Sequence, residues 1–498
     1  MAPRNRTQAP SNPDREVAAV RGAILKAQLA ARQAGLPVVI LVGGVGGAGK
    51  GELVQRLNEW LDPRGVDTHA FWRPEKDARG RPAHWPFWQA LPERGRIAIF
   101  FGSWYWPPIR QRAGGALKKA AFREALGRIA FLERMLAQDG MVLVKLWLHL
   151  SKKAQRHRLE RLESKESTRW QVTAEDWDSH KHYEPLKRAS DTAVSMTDHP
   201  WAPWHIIEAK KPLERDLTAG RILIDALAKA AKPPRKTASK QGSPSNFSSL
   251  PIAPSPTMSQ APTLASLAMD STVDEQDYVR QLSELQGRLG RLAWKAFDKG
   301  VATVLVFEGW DAAGKGSAIR RVTNAIDPRL YKVVPIAAPT QEEKAHHYLW
   351  RFWRRLNPRG SLTIFDRSWY GRVLVERVEG FARPDEWRRA YLELVDFEQQ
   401  IVASGAVLLK FWLQITPEEQ LRRFRERARI EYKRHKITEE DWRNRAKWPK
   451  YEEAVDEMVL RTHARNAPWA LVPANDKRFA RLKILSELCG GLDRAIHA

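Results

Sequence analysis

Gly309-Trp-Asp-Ala-Ala-Gly-Lys315-Gly-Ser317 follows the apolar run Val301 to Phe307, so this stretch predicts a strand, a glycine loop and then a helix. Such a loop points backbone N–H groups and the positive end of the helix at an anion, and its lysine can reach the outer oxygens of a phosphate. The usual form has Ser or Thr directly after the lysine, whereas this sequence has Gly316 there and the hydroxyl one step later. The predicted phosphate-binding residues are Gly309, Gly314, Lys315, Gly316 and Ser317.

The same pattern occurs earlier in the chain at a constant offset. Gly44-Val-Gly-Gly-Ala-Gly-Lys50-Gly51 follows the apolar run Leu36 to Val42 and stands 265 positions before its counterpart. The same offset pairs Ser103-Trp-Tyr105 with Ser368-Trp-Tyr370. A single offset shared by separate motifs indicates that a whole domain was duplicated. We therefore predict two related domains, at residues 1–231 and 275–498.

The two copies differ in their charged residues. Asp311 of the second loop corresponds to Gly46, and Asp366, at the end of a later apolar run, corresponds to Phe101. The neighbouring Arg367 is likewise replaced by glycine in the first copy. Because neutral side chains cannot hold a divalent cation, we interpret the second copy as the working domain and the first as degenerate and inactive.

Composition limits the class of protein. The 498 residues carry a formal net charge of +25, which favours a polyanionic partner: nucleic acid, an anionic membrane or a phosphate polymer. The single cysteine, Cys489, excludes a disulfide within the chain and favours a reducing compartment. No stretch approaches the roughly 18 apolar residues of a membrane helix. We therefore expect a cytoplasmic protein without a membrane partner.

The order of the segments predicts the fold class. Each half opens with an amphipathic helix, and the stretch 232–274 between the halves is rich in Pro, Ser, Thr, Ala and Gln, which is typical of a linker. Further apolar runs separated by helical segments are Arg96 to Phe101, Met141 to Leu148, Leu362 to Phe365 and Ala406 to Leu413. Alternating strands and helices predict a parallel sheet covered on both faces, so we expect a three-layer α/β domain, twice.

Two carboxylates are the candidate metal ligands. Asp366 ends an apolar strand, which is where a phosphate-loop fold places its magnesium-holding acid, and Asp311 adds a second acid inside the loop. The structural alternative makes Asp311 a loop cap and Asp366 a helix cap. Their joint loss from the first copy argues for a shared role. We predict that both hold Mg²⁺ and that, with Lys315 and Arg367, they form the catalytic set.

Basic residues crowd the expected carboxyl edge of the second sheet. Phosphoryl transfer brings several anions together, so cationic side chains must neutralise both reactants. For any single arginine between residues 422 and 436 a solvated helix face is the expectation. The segment 430–436 precedes a helix start and is interpreted as a mobile lid. The other basic residues of this edge are Arg351, Arg354, Arg367, Arg372 and Arg377.

Three motifs in order, Gly309 to Ser317, Phe365 to Val378 and Ala467 to Lys477, resemble the polyphosphate kinase 2 family. The tandem arrangement is similar to that of its two-domain members, which transfer phosphate from polyphosphate to AMP. The resemblance implies a thymidylate-kinase-like fold, inorganic polyphosphate as donor, Mg²⁺, and AMP as acceptor yielding ADP. The residues that we assign on this basis are Asp311 and Asp366 to metal and acceptor activation; Lys315, Arg367, Arg372 and Arg377 to phosphates; and Arg351, Lys433 and Arg434 to nucleotide and lid.

Other functions stay open at this point. An ATP-dependent nucleotide kinase of the same fold, or a polyphosphate kinase acting on ADP, would use the same loop and acids. A polyanion- or nucleic-acid-binding protein with a vestigial loop is a further alternative, but no recognition motif for nucleic acid is found in the sequence, so that partner is not expected. The first half can also serve as a non-catalytic partner. The residues leave a homo-oligomer open.

Overall fold

The computed structural model describes residues 13–71, 80–232, 261–429 and 439–497. The chain forms two compact units. The first contains the described residues within Met1–Arg73, Ala90–Ile252 and Lys344–His347, and the second those within Pro74–Gln89, Ala253–Glu343 and Tyr348–Ala498. Each unit has one five-stranded sheet in which all pairings are parallel, so the predicted α/β class is confirmed.

The sheet of the first unit has the strand order β2-β3-β1-β4-β5. The strands are β1 (Val38–Gly44), β2 (Val66–Ala70), β3 (Ile97–Phe101), β4 (Val142–His149) and β5 (Trp204–Glu208). The helices up to residue 232 are α1 (Pro13–Gln33), α2 (Lys50–Trp60), α3 (Trp85–Gln89, which belongs to the second unit), α4 (Trp106–Ala113), α5 (Lys119–Gln138), α6 (Lys152–Glu163), α7 (Glu166–Arg169), α8 (Ala174–Lys181), α9 (Tyr183–Thr197) and α10 (Pro212–Ala231).

The sheet of the second unit repeats this order as β7-β8-β6-β9-β10. The strands are β6 (Thr303–Gly309), β7 (Tyr331–Pro335), β8 (Leu362–Asp366), β9 (Val407–Gln414) and β10 (Trp469–Pro473). The helices are α11 (Glu275–Asp298), α12 (Lys315–Thr323), α13 (Gln341–Lys344), α14 (Trp350–Trp353), α15 (Val375–Val378), α16 (Pro384–Ala403), α17 (Pro417–Arg429), α18 (Glu439–Ala446), α19 (Trp448–Thr462) and α20 (Lys477–His497). Within the described ranges, no helix is both long enough and apolar enough to cross a membrane.

The apolar runs form the central strands because helices cover both faces of each sheet. The run predicted from Val301 begins as strand at Thr303, and the residues from Val304 to Phe307 are buried. The strand continues two residues further than the run, to Gly309, so that its end leads directly into the glycine loop. In an open parallel sheet, ligands bind at the carboxyl ends of the strands where the strand order reverses. Here that point lies between β6 and β8.

A buried hydrogen-bonded network recurs in both units. In the second unit Lys410 Nζ lies 2.7 Å from Glu398, whose other carboxylate oxygen accepts hydrogen bonds from Tyr370 (2.6 Å) and Trp369 (3.0 Å). In the first unit the corresponding distances are 2.7, 2.6 and 3.0 Å, among Lys145, Glu133, Tyr105 and Trp104. The network links the central strand β4 or β9 to a covering helix and to the segment after β3 or β8. It therefore fixes the scaffold of the two units in the same way.

Part of the stretch predicted as a linker packs on the second unit. Leu264 is buried in a short 3₁₀ turn, and its N–H donates to the carboxylate of Asp456 at 3.3 Å. The N–H of Val273 donates to Asp476 at 3.1 Å. The described end of this stretch, residues 261–274, is therefore tied down before α11 begins.

Candidate functional site

The predicted phosphate-binding loop joins β6 to α12. Gly309 has a φ of 147°, and a Cβ atom there would lie 2.6 Å from the carbonyl oxygen of Leu413, so only glycine fits. Gly314, with a φ of 108°, directly precedes the helix, and Gly316 and Ser317 lie in its first turn. The loop therefore turns the N-terminal end of a nine-residue helix toward the cleft.

Lys315 lies over this loop. Its Nζ donates to the carbonyl oxygens of Gly309 (2.6 Å) and Trp310 (3.1 Å). Burial lowers the pKa of Lys315 below its ordinary value, and the neighbouring charge of Asp311 only partly offsets this. The ammonium group is thus held where water solvates it poorly, and a phosphate oxygen brought to it would be a strong hydrogen-bond partner.

Asp311 and Arg367 form an ion pair in the cleft. Arg367 Nη2 lies 3.1 Å from Asp311 Oδ1, and Asn444 donates to Oδ2 at 3.0 Å. Burial opposes ionisation of Asp311, but the charges of Lys315 and Arg367 outweigh burial and keep the pKa of Asp311 below its ordinary value. The carboxylate is therefore charged at neutral pH and oriented from two sides.

Asp366 and Arg367 sit at the carboxyl end of β8. Asp366 pairs with Phe307 in register, which places it beside the start of the glycine loop. No described side chain donates a hydrogen bond to the Asp366 carboxylate. Arg367 has a φ of 62°, and with Ala312 (66°) it completes the set of described non-glycine residues with positive φ. Strained backbone of this kind costs about 1–3 kcal/mol and concentrates at functional sites.

One cleft of about 600 Å³ brings the candidates together. Its walls include Lys315, Asp311, Asp366 and Arg367, and it also contacts Ser317. Further basic residues that line it are Arg320, Arg423, Arg427, Lys477 and Arg481. A second cavity of about 530 Å³ shares Arg423, Lys477 and Arg481 with the cleft and adds Arg422 and Arg478. The cationic lining therefore extends beyond the loop itself.

Glu308 is a third acid of this region, which the sequence reasoning missed. It lies between the apolar run and the loop, is 6% exposed, and accepts a hydrogen bond from Ser368 Oγ at 2.7 Å. Burial raises the pKa of Glu308 above its ordinary value. Its counterpart in the first half is Gly43. The comparison of corresponding positions in the two copies that singled out Asp311 also applies to Glu308. Each of Glu308, Asp311 and Asp366 is replaced by a neutral residue in the first copy.

Arg423 corrects the expectation of a solvated helix face. Arg422 is exposed as expected, but Arg423 is only 2% exposed. Its guanidinium donates to the carbonyl oxygens of Ala312 and Ala313, both at 2.9 Å, and to that of Ala474 at 2.6 Å. The expectation was wrong at this position because these acceptors come from loops distant in the sequence. Arg423 holds the glycine loop against the end of β10.

Three further candidates lie outside the cleft lining. Arg372 pairs with Glu376 at 3.1 Å and lies 4.3 Å from the ring centre of Tyr348. Arg377 contacts Glu457 (2.5 Å) and the hydroxyl of Tyr391 (2.9 Å), and Arg351 contacts Glu343 (3.2 Å) and the carbonyl oxygen of Ala337 (3.0 Å). Each of these arginines is thus engaged with acidic side chains or carbonyls. Lys433, Arg434 and the predicted lid lie outside the described residues.

The first unit keeps the loop but fills its anion site internally. Lys50 Nζ donates to the carbonyls of Gly44 (3.1 Å) and Val45 (2.8 Å), much as Lys315 does. In place of Ser317, however, the first turn of α2 has Glu52.

The Glu52 carboxylate is held by two arginines. Arg158 donates to one of its oxygens at 2.6 Å and Arg215 to the other at 3.0 Å. Burial opposes ionisation of Glu52, but these two cations outweigh burial and keep its pKa below the ordinary value. A Cβ atom on Gly49 would lie 1.9 Å from the Arg215 guanidinium, so the guanidinium packs directly on the loop. Glu52 therefore supplies the negative charge at this helix end.

Comparison with known proteins matches both halves to one family. The model described as Polyphosphate kinase 2 matches residues 9–235 and 272–497. The chain is 45% identical over 483 residues to the polyphosphate:AMP phosphotransferase of Pseudomonas aeruginosa, covering 97% of this chain and 96% of that protein. It is 36% identical over 450 residues to the protein of that name from Acinetobacter johnsonii, covering 90% and 89%. A crystal structure described as polyphosphate kinase 2 from P. aeruginosa matches with a TM-score of 0.84 at 42% identity, covering 99% of this chain and 98% of that one.

Proposed function

The chain belongs to the polyphosphate kinase 2 family, and on this premise we propose that it moves the terminal phosphoryl group of inorganic polyphosphate to AMP, giving ADP. Relatives that match nearly its whole length carry the name polyphosphate:AMP phosphotransferase. The observation that carries the proposal is the cleft of the second unit, which combines Lys315, Asp311 and Asp366 with a cationic wall. The first unit lacks both carboxylates, so we assign the reaction to the second.

The extended cationic lining supports a polymeric donor. The loop and Lys315 offer a place for one or two phosphates, as in any phosphate-loop enzyme. Beyond them, Lys477 and Arg481 line both the cleft and the second cavity, where Arg422 and Arg478 stand beside Asp270 and Asp476. A donor with three phosphates would be too short to contact these basic residues. A longer chain of phosphates carries a negative charge on each unit and can pair with them.

The two carboxylates fit a magnesium ion. Mg²⁺ is usually held by one or two carboxylates together with substrate phosphates and water, and Asp311 and Asp366 line one cleft beside the phosphate loop. Among the described residues, no cluster of three or more His, Cys, Asp or Glu side chains could hold a metal ion without such a substrate. When bound by Asp311 and Asp366, the ion would neutralise charge on the phosphates of both reactants.

The proposed reaction is an in-line displacement. An oxygen of the AMP α-phosphate attacks the terminal phosphorus of the polymer, forming one P–O bond, and the bond from that phosphorus to the bridging oxygen breaks. The shortened polymer leaves with the electron pair of the broken bond. No proton has to be removed, because the attacking oxygen is already anionic. The protein's task is therefore to bring two anions together and to offset their repulsion.

Four side chains of the second unit have a part in this task. Lys315 and Arg367 donate hydrogen bonds to the transferred phosphate and offset its negative charge. Asp311 keeps Arg367 in place through the 3.1 Å ion pair. Glu308, bonded to Ser368, supports the segment that carries Asp366 and Arg367.

The test is ADP formation from AMP, Mg²⁺ and polyphosphate in the absence of ATP. We expect product with the unaltered chain and a loss of about 1,000-fold or more with Asp366→Asn, which keeps the shape of the side chain but removes its charge. Asp67→Asn is the matched control, because Asp67 is an exposed aspartate whose partner is Arg96 on the surface of the first unit.

Two results would overturn the proposal. Product formed from ATP but not from polyphosphate would make the chain a conventional nucleotide kinase. Polyphosphate binding without turnover, at equal affinity for RNA, would make it a polyanion-binding protein.

We also propose the cytoplasm as the compartment. The support is the single cysteine of the sequence, Cys489, which is free and buried in the second unit. Fractionation of cells that produce the chain would test this, and recovery with an exported fraction would contradict it.

A further inference from the structure

The first unit has a cavity where the second unit has its reacting carboxylates. A space of about 280 Å³ lies at the carboxyl ends of β1 and β3, and the corresponding space beside Glu308 measures about 80 Å³. The difference follows from shorter side chains: Gly43 replaces Glu308, and Gly46 replaces Asp311. The loss of acids from the first copy has therefore left room for a small molecule.

Aromatic rings form the walls of this cavity. Phe101 stands where the second unit has Asp366, and Trp106 stands where it has Gly371. Phe71 and Trp147 add two further rings, and the charged side chains of the lining are Lys50, Glu175 and Asp176. The indole of Trp147 lies against the backbone of Gly43, because a Cβ atom there would be 3.0 Å from its ring carbon Cε3. Faces of this kind stack on flat, conjugated molecules.

A buried hydroxyl in the cavity has lost its acceptor. In the second unit Ser368 Oγ donates to Glu308 at 2.7 Å, whereas in the first unit the residue that corresponds to Glu308 is Gly43, which has no side-chain acceptor for Ser103. Ser103 is 5% exposed and lines the cavity, and its Oγ accepts a hydrogen bond of 3.4 Å from the N–H of Tyr105. The hydroxyl proton is therefore available to an acceptor atom on a ligand.

Phosphate is excluded from the adjoining loop. Glu52, held by Arg158 and Arg215, supplies the negative charge at the start of α2. A phosphorylated ligand would bring a second anion beside that carboxylate, which costs free energy. The cavity volume of about 280 Å³ also lies just below the roughly 300–1,000 Å³ of ligand pockets, which favours a ligand no larger than a base or a nucleoside.

We propose that this cavity of the first unit binds an uncharged, planar heteroaromatic molecule of nucleobase or nucleoside size. Its ring lies between Phe101, Trp106 and Trp147, and one of its ring nitrogen or carbonyl acceptors takes the hydrogen bond of Ser103. The inference does not depend on the reaction assigned to the second unit, because it uses only residues of the first.

The test is calorimetric titration of the full chain with adenosine in the presence of excess AMP, which occupies sites that accept a phosphorylated nucleoside. We expect one adenosine bound per chain. Gly43→Glu places a carboxylate in the cavity, as in the second unit, and should abolish binding. Ser103→Ala removes only the hydroxyl donor and should weaken binding about tenfold. Ser195→Ala, an exposed hydroxyl on α9, is the control and should bind as the unaltered chain does.

The proposal is overturned if adenosine gives no binding at millimolar concentration. It is also overturned if AMP removes the binding, since the ligand would then share a site that accepts phosphate. Equal affinity in Ser103→Ala and the unaltered chain would place the ligand elsewhere, and this holds even where Gly43→Glu fails to fold.

Discussion

The glycine loops of the two units differ in the strain of their backbones. The second unit holds Ala312 (φ 66°) and Arg367 (φ 62°) in the left-handed region, and the corresponding residues of the first unit are Gly47 (φ 68°) and Gly102 (φ 82°). The backbone conformation is therefore common to both units, but one unit adopts it without a steric cost. The comparison teaches that the side chain at position 367 is retained against a cost of about 1–3 kcal/mol, as expected for a group that acts on a ligand.

The scaffold beneath the two loops shows no such difference. The buried lysine, glutamate, tyrosine and tryptophan of the network have nearly the same distances in both units. Substitutions in the network should thus act alike on the two units, whereas substitutions around the loops should not. The following predictions use this contrast, from the largest expected effect to the smallest.

Removing the buried lysine should destabilise either unit to the same extent. Lys410→Met leaves Glu398 without its cation, and Lys145→Met does the same to Glu133, so each should lower the free energy of unfolding of its unit by about 3–5 kcal/mol. Hydrogen exchange of peptides from β9 and β4 reports the two units separately. Lys187→Met, an exposed lysine on α9, is the control. A large effect in one unit and a negligible effect in the other would break the equivalence of the scaffolds.

Arg367→Gly should separate activity from stability. Glycine at position 367 relieves the left-handed strain but removes a cation from the cleft, so ADP formation should fall about 100- to 1,000-fold. The free energy of unfolding should change little, because the relief of strain offsets the loss of the ion pair with Asp311. Initial rates and urea unfolding of the same preparation measure both. Gly102→Arg should lower the free energy of unfolding, since a Cβ atom at that position would lie 2.7 Å from the carbonyl oxygen of Phe71. A loss of stability in Arg367→Gly as large as that of the buried-lysine variants would contradict the strain argument.

Glu52→Ser should open the anion site of the first unit. The substitution restores the residue type of the second unit, leaves Arg158 without its carboxylate and leaves Arg215 with Asp216 as its remaining carboxylate partner, so the free energy of unfolding should fall by about 1–3 kcal/mol. Millimolar inorganic triphosphate should recover this loss, because it replaces the missing anion. Thermal unfolding with and without triphosphate is the measurement, and Glu214→Ser, an exposed glutamate paired with Lys211, is the control. A loss that triphosphate does not recover would mean that Glu52 is not a substitute for a phosphate.

Lys50→Met should change how stability depends on pH. Burial lowers the pKa of Lys50 to about 8 from its ordinary value of 10.5. Between pH 8 and 10.5 the unfolded chain holds the proton of Lys50 more tightly than the folded chain does, so the stability of the folded chain falls as the pH is lowered through this interval. At pH 7 the folded chain therefore carries the full cost of a buried charge. We expect Lys50→Met to be more stable than the unaltered chain at pH 7, by on the order of 1 kcal/mol, and the difference to shrink from pH 8 upward and to be largely lost at pH 10.5. Denaturant unfolding at both pH values measures this, and a difference that is independent of pH would contradict it.

Much of the fold could be predicted from the sequence because buried parallel strands are continuous apolar runs. The runs at Met141, Leu362 and Ala406 begin as strands within one residue of the predicted position. The amphipathic helix predicted at the start of the second half is present and spans Glu275–Asp298. The order of the strands in each sheet could not be predicted in this way, because it depends on contacts between segments far apart in the chain.

The site was only partly accessible to the same reasoning. The loop after β6 leads to Asp311 and Lys315, and β8 ends at Asp366, which Arg367 follows. Because adjacent parallel strands end at one edge, the meeting of these residues in one cleft could be predicted. The contacts that arginines on helices make could not be predicted from the sequence. Arg377, for example, contacts Glu457, 80 residues away in the sequence, and no local pattern reports such a partner.

The internal carboxylate of the first unit bears on how the chain would hold a long polymer. Two open anion sites in one chain could bind a single polymer at two points. Such bivalent binding raises the apparent affinity by about 10²- to 10⁴-fold and slows the release of the polymer correspondingly. With Glu52 in place, the described part of the chain has one open phosphate loop, that of the second unit. Each polymer is then released as fast as a single site allows, which suits an enzyme that must let go of its shortened product after every transfer.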